Sequence, residues 1–348
     1  MIVAIIPAHN EQGGIKATIE SLSPQVDRIV VSADNCTDQT GPISWAAGAE
    51  VFTTFRNKDK KAGALNQVLS LELPNMADDD LVLVVDADTV LAHNFVSIAL
   101  DILNRKPNVA AVGGVFSGDN PQGLLQLLQA HEYERYAREI DRTGRTMVLS
   151  GTAALIRVSV LKEIAAARGG TLPGRTGDIY DSSALTEDME LGLAIRTLGY
   201  ELKSPVACSC TTELMPTLKA LHNQRVRWYR GALENLLTYG FTKVTARYWR
   251  QQIMLSLVTI IFALYLIFTV WVVGTGQFGF SPFWTAVGGV FIFERVFTVW
   301  RLGWKSRGIA LIMVVELLYD LFLQAAFIVA VWKTVRRSQH AWHHLEGK

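Results

Sequence analysis

The 348-residue sequence is poor in cysteine and in net charge, and both shortages exclude classes of protein. Its three cysteines agree with a reducing compartment. Cys208 and Cys210 stand two residues apart, and no other Cys or His follows at ligand spacing, so we expect packing residues and not zinc ligands. Lys and Arg number 33 against 32 for Asp and Glu, which gives no case for a nucleic-acid partner.

Two expected motifs are also missing from the start of the chain. MIVAIIPAHNE has no basic region followed by a long apolar stretch, so we expect no signal peptide and a cytoplasmic position for residues 1–250. No G-x-G-x-x-G pattern follows the first apolar run, which disfavours a dinucleotide-binding oxidoreductase.

Apolar runs and helical patterns alternate through the first part of the chain, which predicts an α/β domain with a doubly wound parallel sheet. Four runs predict strands, in VAIIPAHNE, DRIVVSADNCTD, AEVFTTF and DDDLVLVVDADT. The polar residues just past three of these strands are Asn10 and Glu11, Asp34 and Asp38, and Asp86 and Asp88. Because parallel strands end at a common edge, we expect these loops to gather there.

Asp86 and Asp88 follow the buried-strand pattern LVLVV with one residue between them. Alternate side chains of an extended chain point the same way, so the two carboxylates can hold a hard cation such as Mg²⁺ or Mn²⁺. Such an ion bridges nucleotide phosphates and neutralises the charge on a diphosphate leaving group. Capping and turn acids are common too, and a D-x-D pattern alone leaves both interpretations open.

A second acidic motif, Thr186-Glu187-Asp188, begins an amphipathic helical pattern. Thr186 at the N-cap with acids in the first turn is ordinary helix capping. The same position also suits a general base that accepts the proton of an acceptor hydroxyl. Both interpretations, helix capping and a general base, stay open for different residues of the motif.

A third motif, QRVRW, places Gln224, Arg227 and Trp228 on one helical face. An amide, a guanidinium and an indole suit recognition of phosphate and of a sugar ring. The alternative is an interfacial helix with Arg225, Arg227 and Arg230 near lipid headgroups.

The C-terminal part of the chain is mostly apolar. Residues 253–273 form a run of 21 residues without a charge, which predicts a transmembrane helix. Residues 308–332 are a second candidate, although Glu316 and Asp320 indicate that this helix packs against protein. Residues 283–300 are a weaker third, interrupted by Glu294 and Arg295. The basic clusters after residues 300 and 332 both favour the cytoplasm, so the number of crossings stays open between two and three.

Taken in order, DAD, TED and QRVRW resemble the membrane-embedded family 2 glycosyltransferases, which include cellulose, chitin and hyaluronan synthases. PAHNE, DNCTD, KAGALN and SGTAALIR also look like that family, and the resemblance covers about residues 3–235. It implies a nucleotide-sugar-binding domain of the GT-A type with a mostly parallel sheet, followed by interfacial and transmembrane helices. The expected division is residues 1–225 for the cytoplasmic catalytic domain, 226–252 for an interfacial segment, 253–333 for two or three transmembrane helices and 334–348 for a polar tail.

The resemblance also implies roles for single residues. The nucleotide pocket would be lined by Ala8, Asn10 and Glu11, with Asp34 at the base, usually uracil, and Lys61 near the diphosphate. Asp86 and Asp88 would bind nucleotide and metal, with Asp88 the more direct ligand. Asp188 would be the base, with Glu187 beside it. The diphosphate would be held by Gln224, Arg225 and Arg227, and Trp228 would form the floor of the acceptor site.

These residues together predict an inverting, metal-dependent transfer of a sugar from a nucleotide sugar, usually UDP-linked, to a glycan or lipid hydroxyl at the bilayer. We expect no transmembrane helix ahead of the catalytic domain, and no gating-loop motif follows the first C-terminal span. Both departures from the polysaccharide synthases weigh against processive export. The alternatives are a transferase that adds a single sugar to a membrane-proximal acceptor, and a non-catalytic nucleotide-sugar-binding membrane protein.

Overall fold

The computed structural model of the chain describes residues 1–277, 279 and 281–336. Seven strands form its main sheet: β1 (Ile2–Ala8), β2 (Arg28–Ala33), β3 (Glu50–Thr53), β4 (Leu81–Val85), β6 (Val109–Gly113), β8 (Ala153–Arg157) and β9 (Glu201–Lys203). Their spatial order is β3-β2-β1-β4-β8-β6-β9. Every neighbouring pair is parallel except the two that include β8, which is antiparallel to β4 and to β6. The prediction of a mostly parallel α/β sheet is confirmed.

Helices cover both faces of this sheet. They are α1 (Ile15–Leu22), α2 (Thr40–Ala46), α3 (Lys60–Glu72), α4 (Phe95–Arg105), α5 (Gly123–Thr143), α6 (Val158–Ala167), α7 (Glu187–Thr197) and α8 (Leu218–Tyr239). Alternate residues of one strand feed two separate cores: Val3 and Ile5 of β1 pack on one face, Ala4 and Ile6 on the other. All of them are fully buried, as the continuous apolar runs predict for a two-sided sheet.

A smaller sheet of β5 (Val90–Leu91), β10 (Ser209–Thr212) and β7 (Val115–Gly118) lies beside the end of β4. Cys208 and Cys210 are buried in the core that this sheet shares with β1 and α4. Their expected packing role is therefore confirmed.

The C-terminal part is helical: α9 (Ala246–Gly274), α10 (Pro282–Thr298), α11 (Trp304–Leu311) and α12 (Met313–Val335). By length and composition, α9 and α12 are the two helices of the described residues that are able to cross a bilayer. They differ in environment, since 6% of the apolar window of α9 is buried in the protein and 28% of that of α12.

Two details of the predicted membrane region differ from the structure. The candidate span 308–332 is not one helix, because Ile312 takes a non-helical conformation (φ −84°, ψ 71°) that separates α11 from α12. The expected boundary at residue 225 falls inside the continuous helix α8. Of the predicted polar tail, residues 337–348 lie outside the described part of the chain.

Candidate active site

The loops that follow β1 and β2 meet at the carboxyl edge of the sheet, as predicted. The backbone N–H of Asp34 donates to the carbonyl of Ala8 over 2.8 Å, which continues the pairing of the two strands. Asn10 adopts a left-handed conformation (φ 57°), which asparagine tolerates, and its Oδ1 accepts from the N–H of Thr37 at 2.8 Å. The N–H of Glu11 donates to Thr40 Oγ1 over 2.8 Å.

Asp34 is the buried acid of this edge, at 7% exposure. Its carboxylate accepts hydrogen bonds from Thr54 Oγ1 at 2.7 Å and from Asn35 Nδ2 at 2.9 Å. These contacts fix the orientation of the carboxylate at the end of β2.

Lys61 joins two of the acidic motifs. Its Nζ lies 2.6 Å from Asp86 Oδ1 and 3.0 Å from Glu187 Oε1, so the first turn of α3 ties the end of β4 to the start of α7. Burial opposes the charge on Lys61, but Asp86 and Glu187 outweigh it and hold the pKa of the ammonium well above its usual value. Burial likewise opposes ionisation of Glu187, and Lys61 followed by Arg227 overcomes it and lowers the pKa of that carboxyl.

Asp188 lies next to this bridge, and its surroundings raise the pKa of its carboxyl, whereas those of Glu187 lower it. Its Oδ2 accepts from the N–H of Gly151 at 3.1 Å and its Oδ1 from the N–H of Met189 at 2.7 Å. Burial, and then the negative charge of Glu187, raises the pKa of Asp188 to about 6. A carboxylate held by two backbone donors with a pKa near neutrality has the properties of a general base.

Thr186 occupies the N-cap position of α7, as predicted, but its hydroxyl makes no capping bond to the helix. It accepts instead from Asn235 Nδ2 of α8 at 3.2 Å, and Asn235 also donates to the Thr186 carbonyl at 3.1 Å. The interpretation as a capping motif therefore does not account for Thr186. The residue attaches α7 to α8.

Asp86 and Asp88 lie at the mouth of β4, both partly exposed. Asp88 Oδ1 is within 3.5 Å of the Thr212 hydroxyl of β10. Within the described ranges no three His, Cys, Asp or Glu side chains gather into a metal-binding group. Mg²⁺ commonly takes only one or two protein carboxylates and completes its shell with water and substrate phosphates. The two aspartates therefore fit a divalent cation shared with a diphosphate and not a closed structural site.

The QRVRW motif lies in the middle of α8, and its two arginines have different surroundings. Arg227 is partly exposed and close enough to Glu187 and Asp188 to lower the pKa of both carboxyls against the larger effects of burial. Trp228 is partly buried and packs against the cluster of Ala130, Tyr133 and Leu214. Arg227 thus lies near the acids of TED, while Trp228 lies next to it in sequence on a different cluster.

Arg225, predicted to hold the diphosphate, is instead buried at 1% exposure. Its Nη2 donates to Glu132 Oε2 of α5 over 2.9 Å, and its Nη1 donates to Gln224 Oε1 over 2.6 Å. Its guanidinium lies 4.2 Å from the centre of the Trp228 ring, and Tyr319 donates to the same Glu132 oxygen at 2.7 Å. The guanidinium is therefore enclosed by protein and contacts the side chains of Gln224 and Trp228.

Several residues of the site were not predicted. Gly151 must be small, since a Cβ there would lie 3.1 Å from Lys61 Nζ and 3.2 Å from Asp188 Oδ2. Gly231 lies so close to Thr186 that a Cβ would come within 2.5 Å of its hydroxyl. Asn66 of KAGALN accepts from the N–H of Tyr180 at 2.9 Å and donates to its carbonyl at 2.8 Å, which fixes the chain ahead of TED. In the sequence, the close contacts at Gly151 and Gly231 are indicated only by the glycines of SGTAALIR and WYRGALEN.

Lys60 is a further cation of the site. It is held in a left-handed conformation (φ 56°), and burial followed by the charge of Arg227 lowers the pKa of its ammonium. The effect of the Arg227 charge on this pKa indicates that Lys60 and Arg227 are near one another.

Comparison with known proteins gives a family match over most of the catalytic region. The family model described as "Glycosyltransferase like family 2" matches residues 2–231. The poly-beta-1,6-N-acetyl-D-glucosamine synthase of Staphylococcus aureus (strain MSSA476) is 24% identical over 264 residues, which are 73% of this chain and 60% of that protein. The Staphylococcus epidermidis protein of the same name is 25% identical over 244 residues, 67% of this chain and 55% of that one. This chain therefore spans less than two thirds of the length of these relatives.

Among solved structures, the mannosyltransferase PcManGT from Pyrobaculum calidifontis, determined in complex with GDP-Man and Mn²⁺, superposes with a TM-score of 0.56 at 16% identity. The match covers 97% of this chain and 88% of that one. At this identity the likeness is one of fold.

Proposed function

The chain belongs to glycosyltransferase family 2, and on that premise we propose that it is an inverting enzyme that moves a sugar from a nucleotide sugar to a hydroxyl of a membrane-associated acceptor. One observation carries the proposal: Lys61 bridges Asp86 and Glu187, which brings the D-x-D and TED motifs together beside Asp188. Residues distant in sequence are thus brought together, and we assign to them a donor side and an acceptor side.

On the donor side, the proposed nucleotide pocket is the edge formed by Ala8, Asn10, Glu11 and Asp34. Lys61 pairs with Asp86, and Lys60 and Arg227 are near one another; we propose that these three cations face the diphosphate. Guanidinium and ammonium groups stabilise the negative charge that develops on a departing diphosphate. We assign Gln224 to the same diphosphate through its amide.

Asp86 and Asp88 are the proposed ligands of Mg²⁺ or Mn²⁺, with Asp88 the more direct one, because Asp86 is already paired with Lys61. Bound there with the donor, the ion would supply electrophilic stabilisation of the diphosphate. That PcManGT was solved with Mn²⁺ agrees with this choice of cation.

On the acceptor side, Trp228 would offer a flat apolar surface for a sugar ring. Asp188, held by the N–H groups of Gly151 and Met189, would take the proton of the acceptor hydroxyl as that oxygen attacks the anomeric carbon. Attack opposite the leaving diphosphate inverts the configuration at that carbon. Glu187, paired with Lys61, would stay ionised and keep the pKa of Asp188 high.

The donor sugar is proposed from the relatives. The two staphylococcal proteins are poly-N-acetyl-D-glucosamine synthases, which favours a UDP-linked N-acetylhexosamine donor and a glycan acceptor. A transferase that adds one sugar to a lipid or other membrane-proximal acceptor is the second candidate, and it is favoured because the described helices able to cross a bilayer follow the site directly. A protein that only binds the donor would not require the pKa of Asp188 to be raised.

We propose that the enzyme is an integral membrane protein whose catalytic domain faces the cytoplasm. The lightly buried helix α9 supports membrane insertion, and Arg247 and Arg250 at its start favour a cytoplasmic position for that end.

One experiment tests these proposals together. Membranes containing the full chain are incubated with radiolabelled UDP- and GDP-linked sugars, with Mg²⁺, Mn²⁺ or EDTA, and the products are sized. A polymer supports a synthase, a one-sugar adduct supports the second candidate, and both require metal-dependent diphosphate release. Binding of a nucleotide sugar without any transfer or release would overturn the enzymatic assignment.

A further inference from the structure

We infer that Tyr180 is a positioning residue for Asp188, and that its hydroxyl acts through one water molecule bound in a cavity beside the proposed base. The inference rests on the proposed function, because it concerns the group that takes the proton of the acceptor hydroxyl. It assigns a site for water, and it gives a role to a residue that the DAD, TED and QRVRW motifs do not include.

The first observation is a small cavity lined by the starts of α3 and α7 and by the chain that leads into β8. Its volume is about 10 Å³, which is the size that holds one buried water molecule. A buried water needs about three hydrogen-bond partners. The cavity wall offers an ammonium, two carboxylates and a phenol, from Lys61, Glu187, Asp188 and Tyr180. Much of the remaining wall is apolar and belongs to the buried core, including Ala154 of β8.

The second observation is that the chain at Tyr180 is held from two sides. Asn66 of α3 bonds both the N–H and the carbonyl of Tyr180. Arg168 Nη2 donates to the carbonyl of Ile179 over 2.6 Å and to Glu190 Oε2 of α7 over 2.7 Å. Arg168 and Glu190 are each 1% exposed, so a buried ion pair connects the segment before Tyr180 to the helix that begins with TED.

The ring of Tyr180 is fixed as well. The residue is 3% exposed and belongs to the hydrophobic core cluster on one face of the main sheet. With the backbone bonded and the ring packed, the side chain keeps one position relative to α7. A residue held in this way is able to orient a neighbouring group.

The third observation concerns the hydroxyl at the end of this ring, which makes no hydrogen bond to any residue that the structure describes. Burial raises the pKa of this hydroxyl, and among the neighbouring charges Lys61 acts on it most strongly, followed by Glu187 and Asp188. The phenol therefore lies near the polar part of the cavity wall without direct contact to it. A bridging water satisfies polar groups that are too far apart to bond directly.

The effect on Asp188 has a definite sign. Hydrogen bonds to the ionised form of a carboxyl lower its pKa, and a phenol that donates through a water makes such a bond. Tyr180 would thus oppose burial and Glu187, which raise the pKa of Asp188. The charged and titratable groups that act on Asp188 or respond to its charge come from several elements: Glu187 of α7, Lys61 of α3, Arg227 of α8, Tyr136 of α5 and Tyr180.

The first test is the pH profile of kcat/KM for the full chain in membranes, with Tyr180→Phe compared with wild type. The substitution keeps the ring in the core, so we expect little change in the thermal midpoint. Because Asp188 loses a fixed donor, kcat should fall about three- to tenfold and the acid limb should move up by about 0.5–1 pH unit. KM for the donor should stay within about twofold of wild type.

Tyr200→Phe is the matched control, because it removes a hydroxyl that bonds Glu163 and does not line the cavity. It should leave the profile unchanged. An acid limb of Tyr180→Phe at the wild-type pH would overturn the role of Tyr180. A higher KM for the donor without a shift of the limb would overturn it too, since the hydroxyl would then contact the nucleotide sugar.

A second variant tests the water itself. Ala154 lines the same cavity, and Ala154→Val adds two methyl groups that would take up the space of the water. It should shift the acid limb in the same direction as Tyr180→Phe, and the double variant should shift it no further. Additive shifts would show that the two residues act independently and would contradict a shared water.

A third readout does not depend on catalysis. A density map of the wild-type protein at a resolution that shows ordered waters should contain one water within hydrogen-bonding distance of the Tyr180 hydroxyl and the Asp188 carboxylate. A direct bond between these two groups, or a map without that water, overturns the inference. Inactivity of the wild-type enzyme in the sugar screen would refute the proposed function and leave the map interpretable.

Discussion

The carboxylate of Asp188 and the backbone N–H of Gly151 are joined by a hydrogen bond of 3.1 Å, in a space that a single additional carbon would fill. The glycine comes just before β8, the strand that is antiparallel in the main sheet, and the aspartate begins α7. The contact fixes the direction of the proposed base relative to Lys61.

Gly151→Ala therefore should impair turnover more than stability. The new Cβ would lie 3.1 Å from Lys61 Nζ and 3.2 Å from Asp188 Oδ2, so both side chains must shift. Since small displacements of reacting groups are costly, we expect transfer to fall about ten- to a hundredfold with little change in the thermal midpoint. Gly170→Ala is the matched control, because its Cβ would meet Ala167 O at an ordinary 3.6 Å. Equal activity of the two variants would contradict the assignment.

The pH dependence follows from the pKa of Asp188. Burial and Glu187 raise it to about 6, and a base acts only when deprotonated, so kcat/KM should fall as the pH drops below that value. Glu187→Gln removes the negative neighbour and should move the acid limb to lower pH. A profile of kcat/KM against pH for both enzymes checks this. An acid limb that stays at the same pH after Glu187→Gln would show that another group titrates.

Because Gly231 lies against Thr186, we predict that Gly231→Ala lowers the stability of the protein and that a second substitution at Thr186 restores part of it. Gly231→Ala would place a Cβ 2.5 Å from the Thr186 hydroxyl, and overpacking should cost about 1–2 kcal/mol net of the gain in helix propensity. Thr186→Ala removes the two closest atoms, so the double variant should be more stable than Gly231→Ala alone. Chemical unfolding of all three proteins measures this. A simple addition of the two losses would indicate that the residues do not press on one another.

From the buried contacts of Arg225, we predict that Glu132 and Tyr319, which lie outside the QRVRW motif, affect both stability and substrate binding. Glu132→Gln removes the charge partner of the buried guanidinium and should cost about 1.5–3 kcal/mol of stability. Tyr319→Phe removes one hydrogen bond to Glu132 and should cost about 1 kcal/mol. If Arg225 positions Gln224 and Trp228, both variants should raise KM for the donor through Gln224 and KM for the acceptor through Trp228. Phe327→Leu, which loosens the same helix pair without touching Arg225, serves as the control. An equal rise of both KM values in Phe327→Leu would indicate a general loss of structure and contradict the positioning role.

Much of the catalytic half was predictable because its signals are local. The apolar run Leu81–Val85 specifies a buried strand, and the strand-end positions of Asn10, Asp34 and Asp86 follow from the parallel order. The burial of Arg225 was not predictable, since its partners Glu132 and Tyr319 lie 93 and 94 positions away on helices whose facing sides only the tertiary structure reveals. The break at Ile312 was missed for a similar reason, because the apolar run continues through it.

The most direct test of the central claim is the rate of sugar transfer by purified Asp188→Asn enzyme, alongside its affinity for the nucleotide sugar. The substitution keeps the size but removes the base, and its single amide oxygen can accept from only one of the N–H groups of Gly151 and Met189. We predict a loss of turnover of about 10²–10⁴-fold with donor affinity within about twofold of wild type. Glu163→Gln, an exposed carboxylate bonded to Tyr200, should leave both unchanged. Near-normal transfer by Asp188→Asn would contradict the account.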